Sequence, residues 1–149
     1  MATQVLGGGW SSRLFQEVRE KRGLSYSVFA SVGSFADSGT MSVYAATAPE
    51  RLDELRTVIN AQLNDLATNG PGPRELDVAR GGFEGATVLG LEDTGSRMAR
   101  LATNVLIRVR VVGVDEYLDA VREVTAADVQ RVLAEVLEGT AAVSIVGPG

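Results

Sequence analysis

The sequence predicts an α+β fold in which helices pack on one face of an antiparallel sheet. In two segments of the first third of the chain, every second side chain falls on the same face, which is the period of two that is typical of strands. Most of the remaining chain repeats apolar residues every three to four positions, as amphipathic helices do. Because 149 residues, 45% of them hydrophobic, suffice for one compact core, we predict a single domain over residues 1–149.

Two strands are predicted early in the chain and one at its end. Side chains alternate over residues 25–33 and again over residues 41–48, and the linker 34–39 is rich in turn-forming residues, so the two strands should form an antiparallel hairpin. The apolar run 141–146 is predicted as a third strand. Because three strands are few for such a sheet, we expect one or two strands to be missing upstream of Val5.

Helices are predicted in the rest of the chain. The first follows three glycines: Ser11 or Ser12 can cap it, it should run to about Arg22, and Gly23 stands where a left-handed residue commonly ends a helix. Five more helices are indicated by apolar periodicity, proline placement and capping signals. They are predicted over residues 49–70, about 74–89, 96–107, 115–124 and after the capping signal Thr125-x-x-Asp128.

The composition argues against several classes of function. With 14 basic and 19 acidic residues the net charge is -5, which disfavours binding to nucleic acid or to an anionic membrane. The sequence contains no histidine and no cysteine, the usual ligands of zinc, so we expect no metal site in this chain. No apolar run approaches the roughly 20 residues of a membrane span, and the amino end lacks the pattern of a signal peptide. We therefore expect a soluble, cytoplasmic protein.

Charged side chains concentrate in two places. One group lies near the end of the first helix, where Glu17 is spaced to pair with Arg13 and with Lys21 at i, i+4. It comprises Arg19, Lys21 and Arg22, with Glu17 and Glu20. The other lies on the second helix and comprises Glu50, Asp53, Glu54 and Asp65. Both groups are ordinarily interpreted as solvated surface, the first as cations that stabilise the dipole of a helix end.

Arg19 and Tyr26 give the first group a second interpretation. Arg19 lies near the end of the helix and Tyr26 near the start of the strand that returns beside it, so their side chains can converge. A guanidinium and a phenol placed together can both donate hydrogen bonds to one carbonyl or oxyanion. The pattern of residues leaves both interpretations open.

Gly7, Gly8 and Gly9 also allow two interpretations. Glycines ahead of a helix can offer free N–H groups to a phosphate. The residues that follow are Trp10-Ser11-Ser12-Arg13, without the lysine of a phosphate-binding loop. That sequence favours a flexible or tightly packed turn.

One long segment resembles a known signature. Residues 6–28, LGGGWSSRLFQEVREKRGLSYSV, are similar to the signature of the C-terminal, non-zinc-binding domain in the family of pitrilysin, mitochondrial processing peptidase and insulin-degrading enzyme. Shorter matches extend the resemblance over nearly the whole chain. They are Ala48-Pro49-Glu50, Ser96-Arg97-Met98, residues 124–129 and Val146-Gly147-Pro148.

The resemblance implies a division of labour between two domains. Members of this family are inverzincins, in which an H-x-x-E-H helix of the N-terminal domain binds zinc, a motif that a chain without histidine cannot hold. The C-terminal domain is implied to enclose the peptide and to supply an arginine and a tyrosine, which match Arg19 and Tyr26. Gly7, Gly8 and Gly9 would lie at the chamber wall near the substrate. The sequence departs from the pattern at Trp10 and lacks the first strands of the domain.

Two hypotheses for function follow from the resemblance. In the first, the chain is part of a zinc metalloendopeptidase, inactive by itself, and acts on a peptide substrate together with an N-terminal catalytic domain or partner subunit that carries the zinc. In the second, it is a non-catalytic peptide-binding or scaffold subunit that pairs with an active zinc peptidase. Either way, an exposed edge of the sheet would allow pairing into a homodimer.

Overall fold

The computed structural model describes residues 1–35, 37–108 and 110–147. The predicted α+β class is confirmed, since one small antiparallel sheet packs among helices. The helices α2 to α5 begin and end within three residues of their predicted limits, and α6 begins directly after the predicted capping residue Thr125. In chain order the elements are α1 (Ala2–Gly7), a π-helix (Phe15–Glu20), β1 (Ser27–Ser34), β2 (Gly39–Ala46), a 3₁₀ turn (Pro49–Arg51), α2 (Leu52–Asn69), α3 (Pro73–Gly90), α4 (Thr94–Arg108), α5 (Val114–Glu123) and α6 (Ala126–Glu138).

The two strands β1 and β2 form the predicted antiparallel hairpin. They pair along their whole length, so that Phe29 lies opposite Tyr44 and their rings stack at 5.1 Å on the outer face. β1 begins two residues later than predicted, and β2 begins two residues earlier. In the predicted turn, Ala36 lies outside the described residues. The inner face, which includes Val28 and Val43, packs against the helices. The helices therefore cover one face of the sheet, as predicted.

One hydrophobic core joins this inner face to the helices. The most deeply buried large side chains come from the amino-terminal region and from helices α2 and α6, so distant parts of the sequence meet in one place. They are Leu6, Leu14, Val18, Leu66 and Leu133. The apolar periodicity after Thr125 predicts that four side chains of α6 face inward, those of Val129, Val132, Leu133 and Val136. Val129 and Leu133 are buried, but Val132 and Val136 are exposed.

The amino end is a helix that the sequence did not reveal. Residues Ala2–Gly7 form α1, which packs on β1, whereas the sequence pattern predicts no element there. Val5 and Leu6 are both buried. A six-residue helix with one apolar pair is too short to show its period, so pattern analysis has no means of detecting it.

The first predicted helix also differs from the expectation. Its middle, Phe15–Glu20, is a π-helix, in which the N–H of Lys21 donates to the carbonyl of Gln16 five residues earlier. Leu14 and Val18 are fully buried. Residues four apart share a face in an α-helix and in this wider helix alike, so the side-chain pattern does not distinguish the two.

The predicted third strand is wrong. Residues 141–146 have no regular structure, and Val143, Ile145 and Val146 are exposed. A strand needs a hydrogen-bonded partner, and within the described parts of the chain only β1 and β2 pair. Composition alone cannot supply that partner. Pro148, part of the closing match to the family signature, lies outside the described residues.

Candidate functional site

Arg19 and Tyr26, the two residues singled out in the sequence, lie against each other. The Cζ atom of Arg19 is 4.1 Å from the centre of the Tyr26 ring. The same atom is 4.6 Å from the centre of the Phe15 ring, so the guanidinium contacts two aromatic rings. Tyr26 is 81% exposed, which leaves its phenol available to a ligand. Sequence reasoning missed Phe15, although its spacing of four residues from Arg19 places the two on one face of the helix.

A tight chain reversal brings the two residues together. Gly23 has φ of +56°, a left-handed conformation that glycine adopts without strain, as its predicted role at the helix end requires. Its N–H donates to the carbonyl of Arg19 at 2.9 Å, and the N–H of Leu24 donates to the carbonyl of Val18 at 2.8 Å. The chain therefore turns directly from the helix that carries Arg19 to the strand preceded by Tyr26.

Three hydrogen bonds from side chains to backbone hold this reversal in place. The hydroxyl of Ser25, a buried residue next to Tyr26, donates to the carbonyl of Ala46 at 2.6 Å. The hydroxyl of Thr47 donates to the carbonyl of Leu24 at 2.6 Å. Arg51 donates to the carbonyl of Gly23 at 2.7 Å. Because these bonds connect residues 23–25 to the end of β2 and to the segment that follows it, they restrain the position of Tyr26 relative to Arg19.

The neighbouring cations are paired within the chain, whereas Arg19 is only weakly paired. Lys21 and Arg22 both form ion pairs with Glu17, as predicted for Lys21. Hydrogen bonds from Lys21 and then from Arg22 lower the pKa of the Glu17 carboxyl from its ordinary value. Arg19 has only Glu20, with 3.7 Å between Nε and Oε1, and it donates no hydrogen bond to any acceptor in residues 1–35, 37–108 or 110–147. Its N–H groups therefore remain available to a ligand.

Arg13, predicted to pair with Glu17, instead joins distant parts of the chain. Its guanidinium makes a two-point contact with Glu75, at 2.8 and 2.9 Å, and also pairs with Asp65 and donates to the carbonyl of Gly70. The side chain is only 12% exposed. The prediction failed because a fixed two-point contact with a carboxylate outweighs an exposed pair along one helix. Asp65, expected to be plain surface, is one of its partners.

The contact between Arg13 and Glu75 makes the stability of the fold depend on pH. The Arg13 guanidinium, and after it the backbone N–H of Gly72, lower the pKa of the Glu75 carboxyl in the folded chain. A carboxyl with a depressed folded pKa contributes stability above its unfolded pKa of about 4.3, and that contribution is lost as the pH falls through the folded value. We expect the free energy of unfolding of the wild type, measured by chemical denaturation, to fall between about pH 5 and pH 3. In Glu75→Gln it should fall less over the same range.

The matched control for this experiment is Glu75→Gln in a variant that lacks the Arg13 guanidinium. In an Arg13→Met background, Glu75→Gln should change the acid slope much less, because the main cause of the lowered pKa has been removed. Equal effects of Glu75→Gln in both backgrounds would contradict the assignment of Arg13 as that cause.

The three glycines of the candidate site differ in their surroundings. Gly7 ends α1 and is buried against β1, where a methyl group would have no room: a Cβ added to Gly7 would lie 2.4 Å from the backbone nitrogen of Ala30. Gly8 and Gly9 are exposed. Trp10 is 82% exposed, and its carbonyl accepts a hydrogen bond from Gln16 at 2.8 Å. Close packing therefore explains Gly7, whereas only the two following glycines face solvent.

The described residues hold no candidate metal site. In residues 1–35, 37–108 and 110–147, no three histidine, cysteine, aspartate or glutamate side chains are grouped so that they could bind a metal ion. Because histidine and cysteine are absent from the sequence, the residues present do not fit a zinc centre. Across the same residues, we find no helix that combines the length and the apolar character required to cross a membrane.

Comparison with known proteins identifies the family of the chain. The family model for the peptidase M16 inactive domain matches residues 1–83, which contain α1, the aromatic contacts of Arg19, the hairpin and α2. The chain belongs to the peptidase M16 inactive-domain family. The resemblance carried by residues 6–28 is thereby confirmed, and with it the relationship to zinc proteases.

Relatives of this M16 inactive domain are longer proteins. An uncharacterized zinc protease of Streptomyces coelicolor is 43% identical over 144 residues, which are 97% of this chain and 31% of that protein. The uncharacterized zinc protease YmxG of Bacillus subtilis is 38% identical over 128 residues, which are 86% of this chain and 31% of that protein. The chain thus spans about a third of the length of these curated relatives.

Solved structures share the fold. A crystal structure of a peptidase M16 inactive domain from Pseudomonas fluorescens has a TM-score of 0.80 at 24% identity, and the match covers 90% of this chain and 32% of that one. A protease from Helicobacter pylori has a TM-score of 0.77 at 22% identity, covering 90% and 32% of the two chains. At these identities the likeness concerns the fold alone.

Proposed function

We propose that this chain is the substrate-enclosing domain of a zinc metalloendopeptidase, with Arg19 and Tyr26 as the residues that bind the peptide. The observation that supports the proposal is the direct contact of the Arg19 guanidinium with the Tyr26 ring, at 4.1 Å. That contact holds two hydrogen-bond donors side by side on an exposed surface. Membership of a zinc protease family makes a peptide carbonyl the natural acceptor for them.

The charge of the site suits this role. A peptide carbonyl gains negative charge as it is attacked, and fixed donors aimed at that oxygen stabilise it more than they stabilise the substrate. The N–H groups of Arg19 are not consumed by a strong ion pair within the described residues. The Tyr26 hydroxyl adds a second donor beside them. Together they can bind one oxygen without any proton transfer.

The proposal assigns no metal chemistry to this chain. Its residues do not fit a zinc centre, so the zinc is assigned to another part of the parent protein or to a partner subunit. The chain alone is therefore proposed to hydrolyse nothing. Exposed Gly8 and Gly9 are proposed as the part of the glycine segment that borders the substrate, and residues 1–149 as a single domain within the larger protein.

Complementation tests this proposal. The chain would be mixed with the separately produced remainder of the Streptomyces coelicolor relative, whose corresponding third is 43% identical, and cleavage of a fluorogenic peptide would be followed. We expect neither part to cleave alone and the mixture to be active. If activity returns and is indifferent to both Arg19 and Tyr26, the chain acts only as a scaffold and the proposed role is wrong.

A further inference from the structure

Phe15 has no part in the function proposed above, yet it touches the centre of the site. The centre of its ring lies 4.6 Å from Cζ of Arg19. The centre of the Tyr26 ring lies 4.1 Å from the same atom. Phe15 is half-buried, whereas Tyr26 is 81% exposed. The guanidinium therefore contacts one half-buried ring and one exposed ring.

We propose that Phe15 is a positioning residue that holds the Arg19 guanidinium against Tyr26 with its N–H edge directed to the substrate. This inference rests on the proposed function of Arg19. A guanidinium stacks favourably on aromatic faces, and the planar group uses its faces for stacking while its edge stays free to donate. The long arginine side chain otherwise samples many rotamers, so restricting it before binding lowers the entropy cost of binding.

The local backbone explains why this contact can form. Phe15 and Arg19 are both in the π-helix, where residues four apart lie on the same face. The helix is anchored by the fully buried Leu14 and Val18, so the base of the Phe15 side chain cannot shift freely. Glu20, at 3.7 Å, is too distant to hold the guanidinium by a hydrogen bond. Aromatic contact is thus the main restraint on Arg19 among the described residues.

The first test is spectroscopic and needs only the full chain. In the wild type, aromatic ring currents should shift the side-chain NMR resonances of Arg19 upfield. Phe15→Met keeps the volume but removes the ring, so these resonances should move toward their random-coil positions, and Phe15→Tyr should restore them. Phe35→Leu removes an exposed ring at the hairpin turn and serves as the control. Unchanged Arg19 resonances in Phe15→Met would overturn the inference.

The second test is kinetic and uses the complementation described above. We expect Phe15→Met to lower kcat/KM about two- to fivefold, in keeping with the strength of a partly exposed guanidinium–aromatic contact. A residue that acts through Arg19 should have no further effect once Arg19 is alanine. Equal losses from Phe15→Met in the wild-type and Arg19→Ala backgrounds would mean a merely structural role and overturn the inference.

The two proposals fail in different ways. If Arg19→Ala leaves activity intact, the proposed function is wrong whatever Phe15 does. If Arg19→Ala abolishes activity while Phe15→Met changes neither the Arg19 resonances nor kcat/KM, the proposed function stands and the positioning role is wrong. Phe15→Leu, a second ringless variant, guards against misfolding of Phe15→Met, and thermal melting of each variant verifies the fold.

Discussion

Replacing Arg19 by alanine is expected to reduce the kcat/KM of the reconstituted peptidase by about a hundredfold or more. Removal of one preorganised donor to a developing oxyanion typically costs about 10²–10³ in rate. The effect should fall mainly on catalysis rather than on folding, because the Arg19 side chain is partly exposed and makes no hydrogen bond among the described residues. Steady-state cleavage of a fluorogenic peptide, with thermal melting of the variant in parallel, would measure both.

Matched controls separate the site from general effects of charge. Arg56→Ala removes an exposed arginine from α2 and should leave kcat/KM within about twofold of the wild type, as surface changes remote from a site usually do. Tyr26→Phe removes only the phenol oxygen, and we expect about a tenfold loss or more. Tyr44→Phe, on the outer face of the sheet, is its control. Equal activity in Arg19→Ala and Arg56→Ala would contradict the role assigned to Arg19.

Replacing Gly7 by alanine is expected to destabilise the fold by about 2–3 kcal/mol, although alanine is the better helix former. The added Cβ would lie 2.4 Å from the backbone nitrogen of Ala30 and 2.9 Å from its Cβ, so α1 and β1 must move apart. For a chain of this size, we expect the midpoint of thermal unfolding to fall by about 5–10 °C. Calorimetry or circular dichroism would measure the change.

Gly9 provides a control two residues away. Apart from its chain neighbours, no residue comes within 4 Å of a Cβ built on Gly9, so Gly9→Ala should change stability by no more than about 0.5 kcal/mol. Similar midpoints for Gly7→Ala and Gly9→Ala would show that α1 is not packed tightly on β1. A large loss confined to Gly7→Ala would instead identify close packing as the reason for a glycine there.

Local patterns predicted much of the fold. Helices α2 to α6 are indicated by apolar periodicity and by signals such as the Thr125–Asp128 capping box, in which both reciprocal hydrogen bonds are present. The hairpin follows from alternation and turn residues. Such features depend on residues close in sequence, and neighbours in sequence are the only neighbours that a local pattern contains. The strand predicted at residues 141–146 failed because its partner would have had to come from elsewhere in the chain.

The candidate site divides in the same way. The convergence of Arg19 and Tyr26 was predicted from a helix end followed by a returning strand, and the structure places the two side chains in contact. Their selection as candidate site residues came from the family resemblance. The spacing of four residues indicates that Phe15 and Arg19 share one face of a helix. It does not indicate that the Phe15 ring contacts the guanidinium. Arg13 carried a misleading signal, because Glu17 stands four residues away while its actual partner Glu75 is 62 residues distant.

By itself, the sequence determined the α+β class, the hairpin, the order of the later helices and the convergence of Arg19 and Tyr26, since each depends on short-range spacing. Only the tertiary structure decided that Gly7 is a packing residue, that Arg13 joins α2 to α3, and that Phe15 lies on Arg19. These outcomes depend on which surfaces meet when the core closes. Burial sets the strength of each such contact, and burial is a property of the whole fold rather than of any local segment.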